Sequence, residues 1–251
     1  MSDRVAIVTG AASGIGRAAV ERLSGHAVDV VAVDRSDEVE GVAEASLVGD
    51  VADASTNRRA VELALERFGR VDVAILNAGL PVSGDLLDLP VERFDEALDV
   101  NVRGVLHGIR AVVPAMRGSG GGRIVVTAST SGIAGDPGMW PYNTAKGAVI
   151  NLVRSVALDL AADGITVNAV CPGPTETGMT AGLREMPEVA EGLRRAIPMQ
   201  RWGTPEEVAA VITFLASPDA SFVTGAVVPV DGGITANTGQ FAPRPPPQET
   251  K

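Results

Sequence analysis

Val5-Ala6-Ile7-Val8-Thr9-Gly10-Ala11-Ala12-Ser13-Gly14-Ile15-Gly16 is the stretch on which the fold turns. A short apolar run, mostly β-branched, ends in a glycine loop, and Arg17 to Leu23 then has helix-forming composition, so the order is strand, loop, helix. Glycines at 10, 14 and 16 let the backbone turn tightly and come close to a ligand. The new helix offers unpaired N–H groups and the positive end of its dipole, where a pyrophosphate fits. The spacing is not Gly-x-Gly-x-x-Gly, which leaves a plainer alternative: glycines needed only for a sharp strand-to-helix turn.

A second strand, Val28 to Val33, ends in Asp34-Arg35. Asp34 lies eighteen residues past Gly16, near the ~20-residue offset at which an acidic side chain meets the adenosine ribose. A carboxylate there accepts hydroxyl hydrogen bonds and repels a 2′-phosphate, by about 4 kcal/mol per charge pair at ~4 Å and an effective dielectric of ~20. NAD is therefore favoured over NADP, with the Arg35 guanidinium as the one feature that would tolerate a phosphate. Ser36 to Ala45 reads as a brief helix and Leu47 to Val51 as a third strand. Asp50 at its tip suits either an adenine amino group or an ordinary surface turn.

Ala54 to Phe68 reads as a helix and Val71 to Leu76 as a fourth strand, after which Asn77-Ala78-Gly79 is small enough for backbone to pass under a cofactor. Pro90 to Met116 reads as helical throughout, interrupted near Asn101. That polar residue between Val100 and Val102 suggests a bend or a bound water. Pro114 is placed near the end of this helix. A fifth strand, Arg123 to Thr127, runs into Ala128-Ser129-Thr130-Ser131-Gly132, and strand-end serines in an α/β sheet sit where ligands bind.

Tyr142 is the only tyrosine of the chain, and Lys146 follows it by four residues. On a helix both share one face. Bringing a phenol from a pKa of about 10 to about 7 takes roughly 4 kcal/mol. One unit charge at ~5 Å and dielectric ~20 supplies about 3 kcal/mol, so Lys146 with a second positive charge would suffice. The competing reading is a half-buried aromatic beside a snorkelling lysine. Ile165 to Val170 is a sixth strand, followed by Cys171-Pro172-Gly173-Pro174-Thr175-Glu176-Thr177. The excursion from there to Gly203 holds Met179, Leu183, Met186, Met199 and Trp202 among polar residues and reads as a substrate lid, about 174–203. Thr204-Pro205-Glu206-Glu207 opens the last helix with an N-cap, a proline and an acidic first turn. Val227 to Val230 closes the sheet, and residues 236–251 form a proline-rich tail, extended and mobile.

Composition narrows the function. The 251 residues are 45% hydrophobic but only 3% aromatic, the Val, Ala, Leu and Ile filling of buried parallel strands. The net charge of −10, from 31 acidic and 21 basic residues with no basic stripe, argues against a nucleic-acid backbone or an anionic membrane as partner. A single cysteine excludes an internal disulfide and a thiolate metal cluster. His26 and His107 fall outside every motif, so no metal is expected. With no signal-peptide core and no run of eighteen apolar residues, a soluble, cytoplasmic protein is expected.

Taken in one order, the glycine loop, Asp34, Asn77-Ala78-Gly79, Asn101, Ser129 and Tyr142-x-x-x-Lys146 resemble the short-chain dehydrogenase/reductase family from Val5 to about Gly233. Thr9-Gly-x-x-x-Gly-Ile-Gly16 is similar to that family's own glycine motif, and Ser129 stands thirteen residues before Tyr142 as its pattern requires. The resemblance implies a single-domain, Rossmann-like, doubly wound α/β fold with a seven-stranded parallel sheet over residues 1–235. It implies NAD(H) contacts from Gly10, Ser13, Gly14, Ile15, Gly16, Asp34, Arg35, Asp50, Val51, Asn77, Ala78 and Gly79, from Tyr142 and Lys146, and from Pro172, Gly173, Thr175 and Thr177. It also implies a proton relay: Tyr142 as general base or acid, Lys146 lowering its pKa and holding the nicotinamide ribose, Ser129 on the substrate oxygen, Asn101 positioning a water, with the oxidised nicotinamide as the second positive charge. A homotetramer is implied too. Leu80, Val82, Ile133, Met139, Trp140, Met179 and Leu183 make an apolar pocket for a small uncharged alcohol or ketone. Two rivals stay open, a 3-oxoacyl-thioester reductase docking an acyl carrier on Arg184, Arg194, Arg195 and Arg201, and a non-catalytic NAD-binding sensor.

Overall fold

The computed structural model describes residues 4–240, 242 and 243, and most of the proline-rich tail (241 and 244–251) lies outside the described residues. Seven strands, β1 (Val5–Thr9), β2 (Asp29–Asp34), β3 (Ala45–Val48), β4 (Val73–Leu76), β5 (Gly122–Thr127), β6 (Ile165–Pro172) and β7 (Val227–Val230), form one sheet in the order β3-β2-β1-β4-β5-β6-β7. Every pairing is parallel. All five residues of β1 and all eight of β6 are buried, which is why these strands read as unbroken apolar runs rather than as alternation.

Successive side chains still point to opposite faces, and each face has its own helices. Val5, Ile7, Ile124, Val126 and Val167 pack against α2 (Ala54–Phe68), α4 (Gly104–Gly118) and α5 (Trp140–Leu160). Ala6, Val8, Ile75, Val125 and Val170 pack against α1 (Gly14–Gly25) and α8 (Pro205–Leu215). This is the expected doubly wound sheet. Its strand order reverses between β1 and β4, and that reversal opens a crevice at the carboxyl ends of the strands. Among the described residues no helix is long and apolar enough to cross a membrane.

Three local expectations change. The brief helix expected over 36–45 is one 3-10 turn, Asp37–Val39, capped by Ser36. Gly41, at φ +79°, turns the chain into a strand that starts at Ala45 and stops at Val48, so Asp50 lies beyond it. The long helix expected over 90–116 is three pieces: α3 (Val91–Leu98), a π-helical turn Asp99–Arg103, and α4. Pro114 stands near the end of the helix as expected, exposed and inside α4, which runs on to Gly118. The excursion after β6 folds as a turn at Gly178–Thr180 and two helices, α6 (Ala181–Arg184) and α7 (Pro187–Ala196). α8 opens with the expected capping box of Thr204 and Glu207.

Candidate active site

The glycine loop closes on itself at the end of β1. Gly10 and Gly14 have φ of +66° and +53°, and a Cβ on Gly16 would stand 2.0 Å from the Gly10 carbonyl oxygen. No larger residue fits these turns. Ser13, at the N-cap of α1, commits its side chain to no capping bond, which leaves the first-turn N–H groups without a side-chain acceptor from it. A cradle without room for one methyl, at a helix N-terminus, fits the pyrophosphate of a dinucleotide.

Asn77 locks the loop in place. Its Nδ2 donates to the carbonyls of Thr9 and Gly10 at 3.2 Å each, and its Oδ1 accepts from Thr127 Oγ1 at 3.1 Å. Thr9 Oγ1 accepts from the amides of Asn77 and Ala78 at 3.0 and 3.1 Å. Asn77 is thus a clamp joining the ends of β1, β4 and β5, more than the small spacer read from sequence. Thr9 opens the glycine motif without a role assigned to its hydroxyl, and the only sequence signal of Thr127 is a hydroxyl at the last residue of a strand. Asp34 accepts from the Ala12 amide on one carboxylate oxygen and from the Ser36 amide on the other, both at 3.0 Å, and so stands beside the loop. Arg35 is exposed. Asp50 is exposed and accepts the Ala52 amide at 2.8 Å, while Val51 is buried beside Gly104.

The second group gathers at the ends of β5 and β6. Asn101, Ser129, Tyr142 and Lys146 are all buried. Lys146 Nζ donates to the Thr127 carbonyl at 2.8 Å and lies 5.6 Å from the centre of the Tyr142 ring. The Ser129 hydroxyl stands beside the phenol and favours its ionised form. Asn101 occupies the π-helical turn, where Nδ2 donates to the carbonyls of Leu80 and Ala97 at 2.9 Å and Oδ1 accepts from the Leu80 amide at 3.2 Å. A Cβ on Gly79 would sit 3.0 Å from Asn101 Oδ1 and 3.4 Å from Lys146 Nζ, so one glycine separates the amide from the ammonium.

Burial dominates the electrostatics of the pair. The Tyr142 phenol is pushed up to about 12, first by burial, with Asp136 and Cys171 adding to the rise and the Ser129 hydroxyl opposing it. Burial pushes Lys146 down to about 8. Lys146 by itself therefore does not bring the phenol toward 7, because its ammonium is turned onto a backbone carbonyl and is itself desolvated.

Beyond β6, Gly173 packs against Asp231 so closely that a Cβ would lie 2.8 Å away. Thr175 is buried with Oγ1 donating to the Gly173 carbonyl at 2.9 Å, and the Thr177 methyl is 3.2 Å from where a Cβ on Gly14 would be. The predicted Pro172-to-Thr177 segment thus reaches back to the glycine loop. Of the expected pocket residues Val82 is buried, whereas Ile133, Met179 and Leu183 are exposed. Trp140 stacks on Phe94, ring centres 5.5 Å apart, a partner that sequence spacing did not suggest. The Gly84 amide donates to the Gly138 carbonyl at 2.8 Å, tying together the loops that follow β4 and β5. The arginines read as a basic dock are paired: Arg184 with Glu176 at 3.9 Å, Arg194 and Arg195 with Glu191 at 2.6 and 2.7 Å, Arg201 with Glu207 at 2.6 Å.

A family model described as enoyl-(acyl carrier protein) reductase matches residues 10–235. The chain is 42% identical to 2-(R)-hydroxypropyl-CoM dehydrogenase of Xanthobacter autotrophicus, over 93% of this chain and 99% of that one. It is 39% identical to meso-2,3-butanediol dehydrogenase of Serratia marcescens, over 95% and 97% of the two chains. A solved structure described as an NAD(P)-dependent gluconate 5-dehydrogenase of Beutenbergia cavernae, with NADP bound at low occupancy, superposes with a TM-score of 0.88 at 36% identity, covering 94% of this chain and 98% of that one. Fold and relatives define an α/β oxidoreductase. The chain belongs to the short-chain dehydrogenase/reductase family.

Proposed function

We propose that this enzyme interconverts a small uncharged secondary alcohol and its ketone by hydride transfer with NAD(H), residues 1–235 forming the catalytic domain under a lid at 174–203. The observation that carries the reading is the convergence of the Tyr142 phenol, the Ser129 hydroxyl and the Lys146 ammonium, all buried, at the ends of β5 and β6. The relatives' names support the substrate class, since they describe dehydrogenases of a hydroxypropyl group and of a butanediol.

The glycine loop with Gly10, Ser13, Gly14, Ile15 and Gly16, then Asp34, Asp50, Val51, Asn77, Ala78, Gly79, Pro172, Gly173, Thr175 and Thr177 would hold the dinucleotide. The cofactor held there would supply the hydride acceptor for the alcohol, or the hydride donor for the ketone. Tyr142 takes the hydroxyl proton in oxidation and returns it in reduction. Ser129 holds the reacting oxygen beside that phenol. Lys146 stabilises the phenolate across the ring, and Asn101, fixed on Leu80 and Ala97, holds the backbone through which Lys146 meets solvent. Asp34, at the ribose end, favours NAD over NADP, and Arg35 is the residue through which a phosphate would be tolerated. The exposed Leu158 and Phe222 suit a homotetramer, and a cytoplasmic setting suits the lone reduced cysteine.

A carrier-borne thioester is the second reading, favoured only by the description of the family model. An acidic carrier needs cations to meet it, and the four arginines are already paired with three glutamates, Arg194 and Arg195 sharing Glu191. The deciding assay follows reduced-nicotinamide absorbance with NAD or NADP against secondary alcohols, and with the reduced cofactors against ketones and acyl thioesters. Turnover of alcohols with NAD is expected, and activity restricted to NADPH and a thioester would replace this reading. Tyr142→Phe is expected to keep NAD binding and lose turnover by about 100-fold or more. Asp34→Ala is expected to narrow the NAD-to-NADP ratio of kcat/KM, and an unchanged ratio would remove Asp34 as the discriminator.

A further inference from the structure

The loop between β5 and α5 holds a carboxylate for which proton transfer has no task. Asp136 is exposed, yet it is fixed from two sides. Its Oδ2 accepts from the Ser131 hydroxyl at 2.5 Å, and the Ser131 amide donates to the Ser129 hydroxyl oxygen at 3.1 Å. Its backbone carbonyl accepts from Asn143 Nδ2 at 2.9 Å, and Asn143 is the neighbour of Tyr142. Asp136 is thus tied by hydrogen bonds to the surroundings of both Ser129 and Tyr142. Its Oδ1 accepts no hydrogen bond among the described residues.

Two more polar atoms of this junction lack a partner. Trp140 Nε1 and Asn143 Oδ1, one turn apart on α5, are buried without a hydrogen bond among the described residues. Leaving such groups unmet in an interior costs stability, so they call for a partner that arrives with the substrate. The junction is rigidly built: the indole stacks on Phe94, the Asn143 amide donates to the Met139 carbonyl at 2.8 Å, and the Gly84 amide holds the Gly138 carbonyl. The unmet set is one donor, the indole N–H, and two acceptors, an amide oxygen and a carboxylate oxygen. A hydroxyl group answers both kinds at once, accepting from the indole and donating to an oxygen. A keto oxygen answers only the indole, and an anionic group is repelled by Asp136.

We infer that Asp136, Trp140 and Asn143 form a specificity subsite for a second hydroxyl of the substrate, so that the enzyme acts on diols or hydroxyketones in preference to simple alcohols. The inference rests on the alcohol–ketone reading above and narrows its substrate class. Asp136 also adds to the rise of the Tyr142 phenol, an effect that falls on every substrate alike and cancels from a ratio of two substrates.

The test measures kcat/KM with NAD for pairs that differ by one hydroxyl, isopropanol against propylene glycol and cyclohexanol against vicinal cyclohexanediol. The parent is compared with Asp136→Ala and Trp140→Phe, and NAD dissociation constants are measured alongside. The parent is expected to favour the diol of a pair by about tenfold or more. Asp136→Ala is expected to cut that preference about tenfold, through the diol, with NAD affinity within about twofold of the parent. Trp140→Phe, which keeps an aromatic ring against Phe94, is expected to cut it about fivefold. An unchanged ratio in folded Asp136→Ala overturns the inference, because merely holding the loop or tuning the phenol moves both alcohols together. If Asp136→Ala does not fold, the ratio in Trp140→Phe decides in the same way. A parent that turns over both members of each pair equally well sinks only the inference, whereas a parent that binds NAD and is silent on every pair sinks the alcohol–ketone reading with it.

Discussion

Tyr142 and Lys146 disturb each other less than burial disturbs both. The phenol stands near 12 and the ammonium near 8, so each is driven toward its neutral form. These shifts have opposite consequences for stability. Between pH 8 and 10.5 the unfolded lysine holds a proton that the folded one has released, so the contribution of Lys146 rises with pH across that window. For Tyr142 the contribution is whole below pH 10 and is lost as pH climbs toward 12, because the unfolded phenol ionises first. The Tm of the parent relative to Lys146→Met is therefore expected to rise from pH 8 to pH 10. A constant difference across that range would mean that Lys146 is not desolvated as described. The sequence made the pair visible through the i,i+4 spacing, but spacing carries no information about desolvation, so the rise of the phenol on burial was not legible there.

At the scale of elements, the π-helical turn at Asp99–Arg103 shows what an interrupted apolar pattern means here. Asn101 broke the periodicity, so the interruption was legible. Its cause was not, because the partners are carbonyls and an amide from Leu80 and Ala97, and no sequence pattern names a backbone group twenty-one residues away. One extra residue in the turn swings the Asn101 amide toward the loop after β4. Asn101→Ala would strand up to three buried backbone groups at roughly 1–3 kcal/mol each, partly recovered by water. A loss of about 3 kcal/mol, or a Tm lower by about 6–12 °C, is expected by thermal unfolding, together with a weaker hold on the segment at Gly79. A Tm within about 2 °C of the parent would show that this turn holds itself without the amide. Strands β1, β5 and β6 were legible for the opposite reason: burial on both faces needs no long-range information beyond an apolar run.

Over the whole molecule, the half of the crevice built by β1, β2 and β4 was readable from glycines and a carboxylate at fixed offsets, whereas the excursion after β6, proposed as a lid, was readable only as an excursion. Its roots meet. The Glu176 amide donates to the Gly203 carbonyl at 2.9 Å and the Gly203 amide to the Pro174 carbonyl at 3.0 Å, with Thr175 bridged to Gly203. Past the near root, Met179, Leu183, Met186 and Val189 are exposed, while Ile197 near the far root is buried against Gly232. Exchanging residues 178–193 for the loop of a relative of equal length is expected to change which alcohols are turned over, with NAD affinity within about threefold and Tm within about 4 °C of the parent. A collapse of NAD affinity would show that the lid helps to build the cofactor cradle. A loop that leaves and returns through one doorway can be inherited as a cassette: descent can rewrite its interior letter by letter, or replace it wholesale, while the machinery beneath is passed on unaltered, and new chemistries of recognition then arise without a new catalyst having to be invented.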